Sequence, residues 1–346
     1  MTTIMITGAA GFIGGHVTRE AGRRGGLALR LMSHRRPLPG AATTAPATTA
    51  PATTATATAA TASPADASPA DTTPAVDGPA VRTVRADLSD PASLRGTCDG
   101  VDVLLHCASQ IGGTPEANET VNARGTAALV AEARRAGVSR VVYLSTASVY
   151  GRGTFRAARA EDLVRNPGSP TSRSRADAED AVLAAGGVVL RPHLVLGAGD
   201  TWVVPGLARI LKALPGSVDG WAARTSAITA HDLARLLLGA GLARAGDLTA
   251  AVYHAAHPVP VTVANLLEAV AEVAGVRPPD ADFTAARARE LLAAQGIPPQ
   301  GLDMLTSDHW FDAAPLWRDL RAAPGPDFEN AFKELAEGYR RTLLDI

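Results

Sequence analysis

The sequence predicts an α/β fold, with a doubly wound parallel sheet and a smaller, mainly helical C-terminal lobe. Apolar runs with the length of strands alternate with longer stretches of helical periodicity as far as about Gly197. This alternation is typical of parallel sheets with helices on both faces. Beyond Gly197 the pattern is less regular and richer in Pro and Trp, which indicates a lobe that closes over the carboxyl ends of the strands.

The strand-like runs occur in a fixed order along the chain. They are TIMIT, LALRLMS, VRTVRAD, VDVLLHCAS, RVVYLSTAS and GVVLRPHLVLG, with AVYHAAH as the last strand. Between the fourth and fifth runs, NARGTAALVAEARRAG has helical periodicity and ends in glycine. In the lobe, VTVANLLEAVAEVAG and FENAFKELAEGYRRTLL are predicted helices.

Domain boundaries follow from these patterns. We predict a first domain at residues 1–195 and a lobe at residues 196–346, with residues 222–257 returning to the first domain. Residues 37–80 interrupt the first domain with a segment that is nearly all Ala, Thr and Pro. Such a segment has too few large apolar side chains to offset the entropy of ordering itself. We therefore expect a disordered surface insertion there.

Composition narrows the classes of partner. A net charge of −1 gives no electrostatic reason to bind nucleic acid or an anionic membrane. Cys98 and Cys107 are too few for a disulfide framework and lack metal-ligand spacing. No apolar run approaches the roughly 20 residues of a membrane span, and a strand begins where a signal peptide would lie. We expect a cytoplasmic protein without a metal site, either a monomer or a homodimer.

The segment TGAAGFIG places three glycines, Gly8, Gly11 and Gly14, directly after the first strand and at the start of a helix. This spacing lets backbone N–H groups approach a pyrophosphate, whose charge the helix N-terminus favours. Together with Phe12 and Ile13, the glycines predict a dinucleotide site. The alternative is a purely structural turn.

The end of the second strand favours NADP(H). NAD-selective sites place an acidic residue here for the ribose 2′-hydroxyl, whereas this strand ends in His34-Arg35-Arg36. Guanidinium groups suit a 2′-phosphate, although Arg35 and Arg36 are also compatible with a solvated loop. Asp87 and Leu88, which follow the third strand, are placed to contact the adenine edge, and a structural role is the alternative.

These motifs, with others downstream, resemble the extended short-chain dehydrogenase/reductase family, also called the NAD(P)-dependent epimerase/dehydratase-like family. The similar segments are TGAAGFIG, HCAS, NARGT, STASVYG, RPHLVLGAG and AITAHDLARLLL, and the similarity extends to about His257. The resemblance implies a Rossmann domain, a C-terminal substrate lobe and chemistry at the nicotinamide C4. It also implies that Cys107, Ala108, Asn122 and Pro192 lie along the cofactor.

The active-site motif of that family is altered in this chain. By the resemblance, Thr146 retains the hydroxyl that orients the substrate oxygen. The next motif, usually SPYGxSK, aligns with SPTSRSR from Ser169 onward, so Thr171 replaces the tyrosine acid and Arg175 replaces the lysine. Threonine is too weak an acid for this role, and arginine keeps its proton. Arg175 is still expected to hydrogen-bond the cofactor ribose.

Further candidates lie near the predicted nicotinamide. His193, at the end of the sixth strand, is a candidate proton donor. A packing role for it stays open, and water or a substrate hydroxyl are the other proton sources. Ser109, Gln110, Ser148 and Trp202 are candidate substrate contacts.

Three functions fit these observations. The first is an NADPH-dependent ketoreductase that lacks the usual Tyr–Lys pair, in which the chain resembles the atypical reductases of bacterial aromatic polyketide pathways. Its partner would be a small aromatic or polycyclic ketone. The second is a non-catalytic NADP-sensing regulatory protein. The third is a sugar-nucleotide epimerase or dehydratase, which needs the base that is missing here. We expect the first.

Overall fold

The computed structural model describes residues 1–34, 80–214, 216–277, 281–298 and 300–344. The Ala/Thr/Pro insertion predicted at residues 37–80 lies outside the described residues, apart from residue 80. In the described ranges, no helix combines the length and the apolar character needed to cross a membrane.

Strands and helices alternate along most of the described chain. The strands are β1 Thr2–Thr7, β2 Leu27–Ser33, β3 Val81–Arg85, β4 Val103–His106, β5 Arg140–Leu144, β6 Phe155–Ala158, β7 Val188–Arg191, β8 Leu194–Leu196, β9 Gly216–Val218, β10 Arg224–Thr225, β11 Ala227–Thr229, β12 Val252–His254, β13 Val261–Thr262, β14 Ala281–Phe283 and β15 His309–Phe311. The helices are α1 Phe12–Arg24, α2 Pro115–Asn118, α3 Gly125–Arg135, α4 Pro170–Ala184, α5 Val203–Ala213, α6 Ala230–Leu242, α7 Val263–Ala274, α8 Ala285–Ala294, α9 Gln300–Leu305, α10 Ala314–Asp319 and α11 Phe328–Leu343. A π-helical segment, Glu119–Arg124, joins α2 to α3.

Seven of the described strands form one parallel sheet in the order β3-β2-β1-β4-β5-β7-β12. The predicted α/β fold is confirmed, and the AVYHAAH segment supplies the last strand of the sheet through β12. The central strand β4 is buried along its whole length, as expected when helices cover both faces. Strand order reverses between β1 and β4, and a crevice opens at their carboxyl ends.

The run GVVLRPHLVLG forms two strands where the sequence pattern predicts one. β7 ends at Arg191, and β8 pairs with β11 outside the main sheet. Pro192 has no backbone N–H and cannot continue the ladder. Its carbonyl accepts a hydrogen bond of 2.7 Å from the backbone N–H of Ala147. The break sets His193 between the two strands, beside the crevice.

The C-terminal part contains a small mixed sheet as well as helices α5 and α7 to α11. Its strands follow the order β13-β10-β15-β6. β6 comes from the range assigned by sequence to the first domain, and it pairs with β15 more than 150 residues later. Strands of two to four residues leave no periodic pattern that a sequence can show.

A buried charged cluster joins β5, β7 and α4. Glu179, fully buried on α4, pairs with Arg191 at the end of β7, where one N–O distance is 2.9 Å. It also accepts hydrogen bonds from Arg165, at 3.4 Å, and from the hydroxyl of Ser145 just after β5. Arg191 donates in addition to the hydroxyl of Tyr150, at 2.7 Å. Buried charges need such partners, and here they tie two strand ends to one helix.

We predict that Glu179→Gln lowers the free energy of unfolding by about 3–5 kcal/mol, because it leaves Arg191 buried without a counter-charge. The control is Asp180→Asn, which removes an exposed partner of the same Arg165 and should cost less than about 1 kcal/mol. Urea denaturation at neutral pH measures both. Equal losses of unfolding free energy in the two variants would show that the buried pair contributes no more to stability than the exposed one.

Candidate active site

The glycine turn between β1 and α1 forms one wall of the crevice. Gly8 has a φ of +67°, and its carbonyl accepts a hydrogen bond of 2.8 Å from the Gly11 N–H. A Cβ on Gly14 would lie 2.1 Å from the Gly8 oxygen, and a Cβ on Gly8 would lie 2.8 Å from the Ala108 nitrogen. Only glycine permits these approaches. The cradle fits a dinucleotide whose pyrophosphate lies at the N-terminus of α1.

The crevice encloses a cavity of about 910 Å³ at the carboxyl ends of the central strands. Most of the predicted site residues border it: Gly8, Gly11, Phe12, Ile13, Gly14, His34, Asp87, Leu88, Cys107, Ala108, Ser109, Gln110, Thr146, Arg175, Pro192, His193 and Trp202. Ile111, Ser145 and Thr201 border it too and were not predicted. Each adjoins a predicted residue in the chain, which is the signal that would have found them.

The part of the cavity beside the ends of β2 and β3, where adenosine is expected, contains a carboxylate and a histidine. Asp87 lies 3.0 Å from the Nε2 of His34, between Oδ2 and the ring nitrogen. Its Oδ1 accepts a hydrogen bond of 2.8 Å from the Ser89 N–H. Arg35 and Arg36 lie outside the described residues. The preference for NADP over NAD therefore stays a prediction.

Arg175 borders the nicotinamide end of the cavity from α4. One of its terminal nitrogens donates to the Leu144 carbonyl, and the guanidinium lies over the Tyr143 ring, 5.8 Å from the centroid. Its Nε is buried and has no hydrogen-bond partner in the described part of the chain. That N–H can serve a ligand oxygen such as a ribose hydroxyl. Because guanidinium keeps its proton at neutral pH, Arg175 offers charge and hydrogen bonds but no acid.

Thr146 follows β5 at the cavity and begins a one-turn 3₁₀ helix. Its Oγ1 accepts a hydrogen bond of 3.1 Å from the Ser148 N–H and lies 3.2 Å from the Ser148 hydroxyl. Ser148 itself is exposed and lies outside the set of described residues that border the cavity. The Thr146 hydroxyl is thus held at the cavity wall by its hydrogen bonds with Ser148.

His193 holds a neutral ring. Burial lowers its pKa to about 3, with His309 and His254 adding to the shift. Its ring stacks on that of His309 with centroids 5.7 Å apart. Its Nε2 is shielded from solvent and lacks a partner among the described residues. A neutral imidazole can hydrogen-bond a substrate oxygen but is a weak acid toward an alkoxide.

Asn122 and Thr171 face the loop that follows β4 and do not appear among the described residues bordering the cavity. Asn122, almost fully buried, bonds both backbone groups of Gln110, at 2.7 and 2.9 Å. Thr171 donates its hydroxyl proton to Asn118, at 2.9 Å. Both side chains therefore affect the cavity only indirectly, through the position of the loop to which they are hydrogen-bonded.

We call the part of the cavity bordered by Ser109, Gln110, Ile111, Thr201 and Trp202 its substrate end, because three of these residues are the predicted substrate contacts. Ile111 and Trp202 expose apolar surface there and are 49% and 63% exposed. Asp200 also borders it, but its carboxylate accepts backbone N–H groups of Trp202 and Val203 at 2.8 Å and is used to cap α5. Among the described residues that border the cavity, Arg175 is the only arginine or lysine.

The parallel sheet, the crevice at its switch point and the glycine cradle define a dinucleotide-binding enzyme of the Rossmann type. Residues 4–243 match the model of the NAD dependent epimerase/dehydratase family, and the chain belongs to this family. The resemblance inferred from TGAAGFIG and the downstream motifs is confirmed. The protein is thus a member of a family of NAD(P)-dependent oxidoreductases and epimerases.

The relatives include reductases as well as sterol and steroid dehydrogenases. The chain is 29% identical over 289 residues to 2-alkyl-3-oxoalkanoate reductase of Stenotrophomonas maltophilia, covering 74% of this chain and 86% of the relative. It is 31% identical to a 4-hydroxy-2-methyl-3-oxo-4-farnesyl-3,4-dihydroquinoline-1-oxide ketoreductase of Stigmatella aurantiaca, over 55% of this chain and 59% of the relative. Among solved structures, the Bordetella bronchiseptica enzyme WbmH in complex with NAD+ superposes with a TM-score of 0.67 at 19% identity, covering 100% of this chain and 99% of that one. The last similarity concerns the fold alone.

We predict that Gly14→Ala weakens NADPH binding more than about tenfold, because its Cβ would collide with the Gly8 carbonyl. Gly15→Ala is the matched control on the same helix. Its Cβ would lie 3.5 Å from the nearest atom, an ordinary contact, and alanine raises helix propensity. Isothermal titration with NADPH, with circular dichroism as a check on folding, compares the two. Equal affinity in both variants would contradict the cradle.

Stability should fall as the solution is acidified below the ordinary histidine range. Burial lowers the pKa of His106 and His193 to about 3 and that of His254 to about 4, from 6.5. Their neutral rings therefore contribute fully above pH 6.5, and the contribution is lost as pH falls toward these values. Urea unfolding between pH 7 and 4 should show this decline. It should be shallower in His254→Gln than in the wild type, and parallel curves for the two proteins would refute it.

Proposed function

We propose that the protein is an NADPH-dependent ketoreductase that acts on an aromatic, polycyclic polyketide ketone without the Tyr–Lys acid pair of its family. The substrate type is angucyclinone-like, of the kind reduced by the angucyclinone ketoreductase of simocyclinone biosynthesis, which the sequence resembles. The observation that carries the proposal is the contrast within one cavity: the cofactor cradle and Thr146 are kept, while Ile111 and Trp202 expose apolar surface on the cavity wall and the Asp200 carboxylate is engaged by backbone N–H groups.

The substrate end favours a flat, neutral molecule over a sugar nucleotide. Exposed indole and aliphatic side chains stack well against aromatic rings. A sugar nucleotide brings a pyrophosphate, which is normally held by guanidinium or ammonium groups. Arg175 is the only arginine or lysine among the described residues that border the cavity, and it is already held by the Leu144 carbonyl and the Tyr143 ring. Two relatives are an oxoalkanoate reductase and a ketoreductase, which agrees with ketone reduction.

When bound, the reduced nicotinamide supplies the hydride. The glycine cradle and Arg175 hold the dinucleotide, and the Thr146 hydroxyl orients the ketone oxygen. Correct positioning provides much of the rate enhancement in such a transfer. The alkoxide that forms takes its proton from water or from a neighbouring substrate hydroxyl. His193 is the least favoured of the three proton sources, because its lowered pKa keeps the ring neutral at neutral pH.

A matched pair of substrates tests the function and the proton source together. We predict that NADPH is oxidised by a polycyclic ketone with an adjacent phenol, with kcat/KM about 100-fold above that of its methyl ether, the range expected of a positioned acid. Loss of nicotinamide absorbance measures both. Equal rates would identify water as the proton source and leave the ketoreductase intact. Binding of NADPH without turnover of any ketone would support the NADP-sensing regulator, and conversion of a sugar nucleotide would support the epimerase or dehydratase.

A further inference from the structure

The loop that follows β4 places Ile111 at the substrate end of the cavity. Ser109, Gln110 and Ile111 all border the cavity, and the loop then turns at Gly112 and Gly113. Both glycines have positive φ, +72° and +80°, a conformation that suits glycine. Within the described structure, residues 109–113 make no backbone–backbone hydrogen bond. The position of Ile111 therefore depends on side chains that bind the loop from outside.

Two buried asparagines hold the loop from one helical face. Asn122 accepts the Gln110 N–H and donates to the Gln110 carbonyl, as described above. Asn118, four residues earlier and 1% exposed, donates to the carbonyls of Gly112, at 2.8 Å, and Thr114, at 2.9 Å. Ile111 thus lies between two clamped residues.

These contacts settle the direction of the Thr171 hydroxyl. Because the Asn118 amide nitrogen donates to two carbonyls, its Oδ1 must face Thr171, and an oxygen at 2.9 Å can only accept. The single hydroxyl proton of Thr171 is therefore committed to Asn118. The Oγ1 of Thr171 also accepts a hydrogen bond of 3.4 Å from the Gly112 N–H. No proton of this hydroxyl is left for a substrate.

We propose that Asn118 and Thr171 form a clasp that positions the Gln110–Gly112 loop and so sets the specificity for the flat face of the substrate. They are positioning residues, acting through Ile111. The place where the family carries its acid serves in this chain to shape the substrate wall. The inference rests on the proposed ketoreductase function for its kinetic consequence, and on the hydrogen bonds alone for its structural one.

The kinetic test uses Thr171→Val, which keeps the shape and removes the hydroxyl, beside Thr171→Ser, which keeps the hydroxyl. We expect Thr171→Val to raise KM for the polycyclic ketone about five- to tenfold, the effect of one or two lost hydrogen bonds. The value of kcat should stay within about twofold, with an unchanged pH profile and unchanged NADPH affinity. Thr171→Ser should restore KM. A fall in kcat of about 100-fold at constant KM would identify Thr171 as an acid and overturn the proposal.

Hydrogen exchange tests the clasp without any assumption about the substrate. In the NADPH-bound protein, amides of the 109–113 segment should exchange about five- to tenfold faster in Thr171→Val than in wild type or Thr171→Ser. Asn118→Ala should produce the same change in that segment. Unchanged exchange in both variants would refute the clasp whatever the substrate is. Faster exchange in a protein that reduces no ketone would retain the clasp and refute the ketoreductase.

Discussion

Three backbone segments meet at the carboxyl end of β1, and the rest of the site depends on how closely they approach. Gly8 lies against Ala108 after β4, and Gly14 lies against Gly8 at the start of α1. Side chains at these positions would force the segments apart. Because the segments touch, the N-terminus of α1 and the loop after β4 open onto one crevice, where the strand order reverses. The shape of the cavity at its cofactor end and at its substrate end therefore depends on that contact.

Much of the fold could be read from the sequence, because parallel strands buried on both faces leave continuous apolar runs. The glycine turn and the last strand, at Val252–His254, follow from local patterns in the same way. The small sheet of the lobe could not be predicted, since its short strands pair over long separations. The split at Pro192 was a readable signal, because proline ends a ladder, and treating the run as one strand ignored it.

The candidate site, like the fold, could be predicted from the sequence only in part. Ser109 was placed at the cavity by its position after a strand end, and Thr146 by the resemblance to the family motif. The partners of Thr171 could not be foreseen, because Asn118 is distant in sequence and carries no motif. The state of His193 also depends on tertiary contact: only its burial against His309 and His254 lowers its pKa to about 3. Sequence identifies which acid is missing, and packing determines which groups cannot replace it.

The proposed ketoreductase transfers hydride to a ketone without an acid at position 171. Incubation with NADPH deuterated at the transferred C4 position, followed by mass spectrometry of the alcohol, tests it most directly in wild type and Thr171→Val. The account predicts one deuterium at the carbinol carbon in both proteins. An alcohol that forms only in the wild type, or that carries no deuterium, would contradict it.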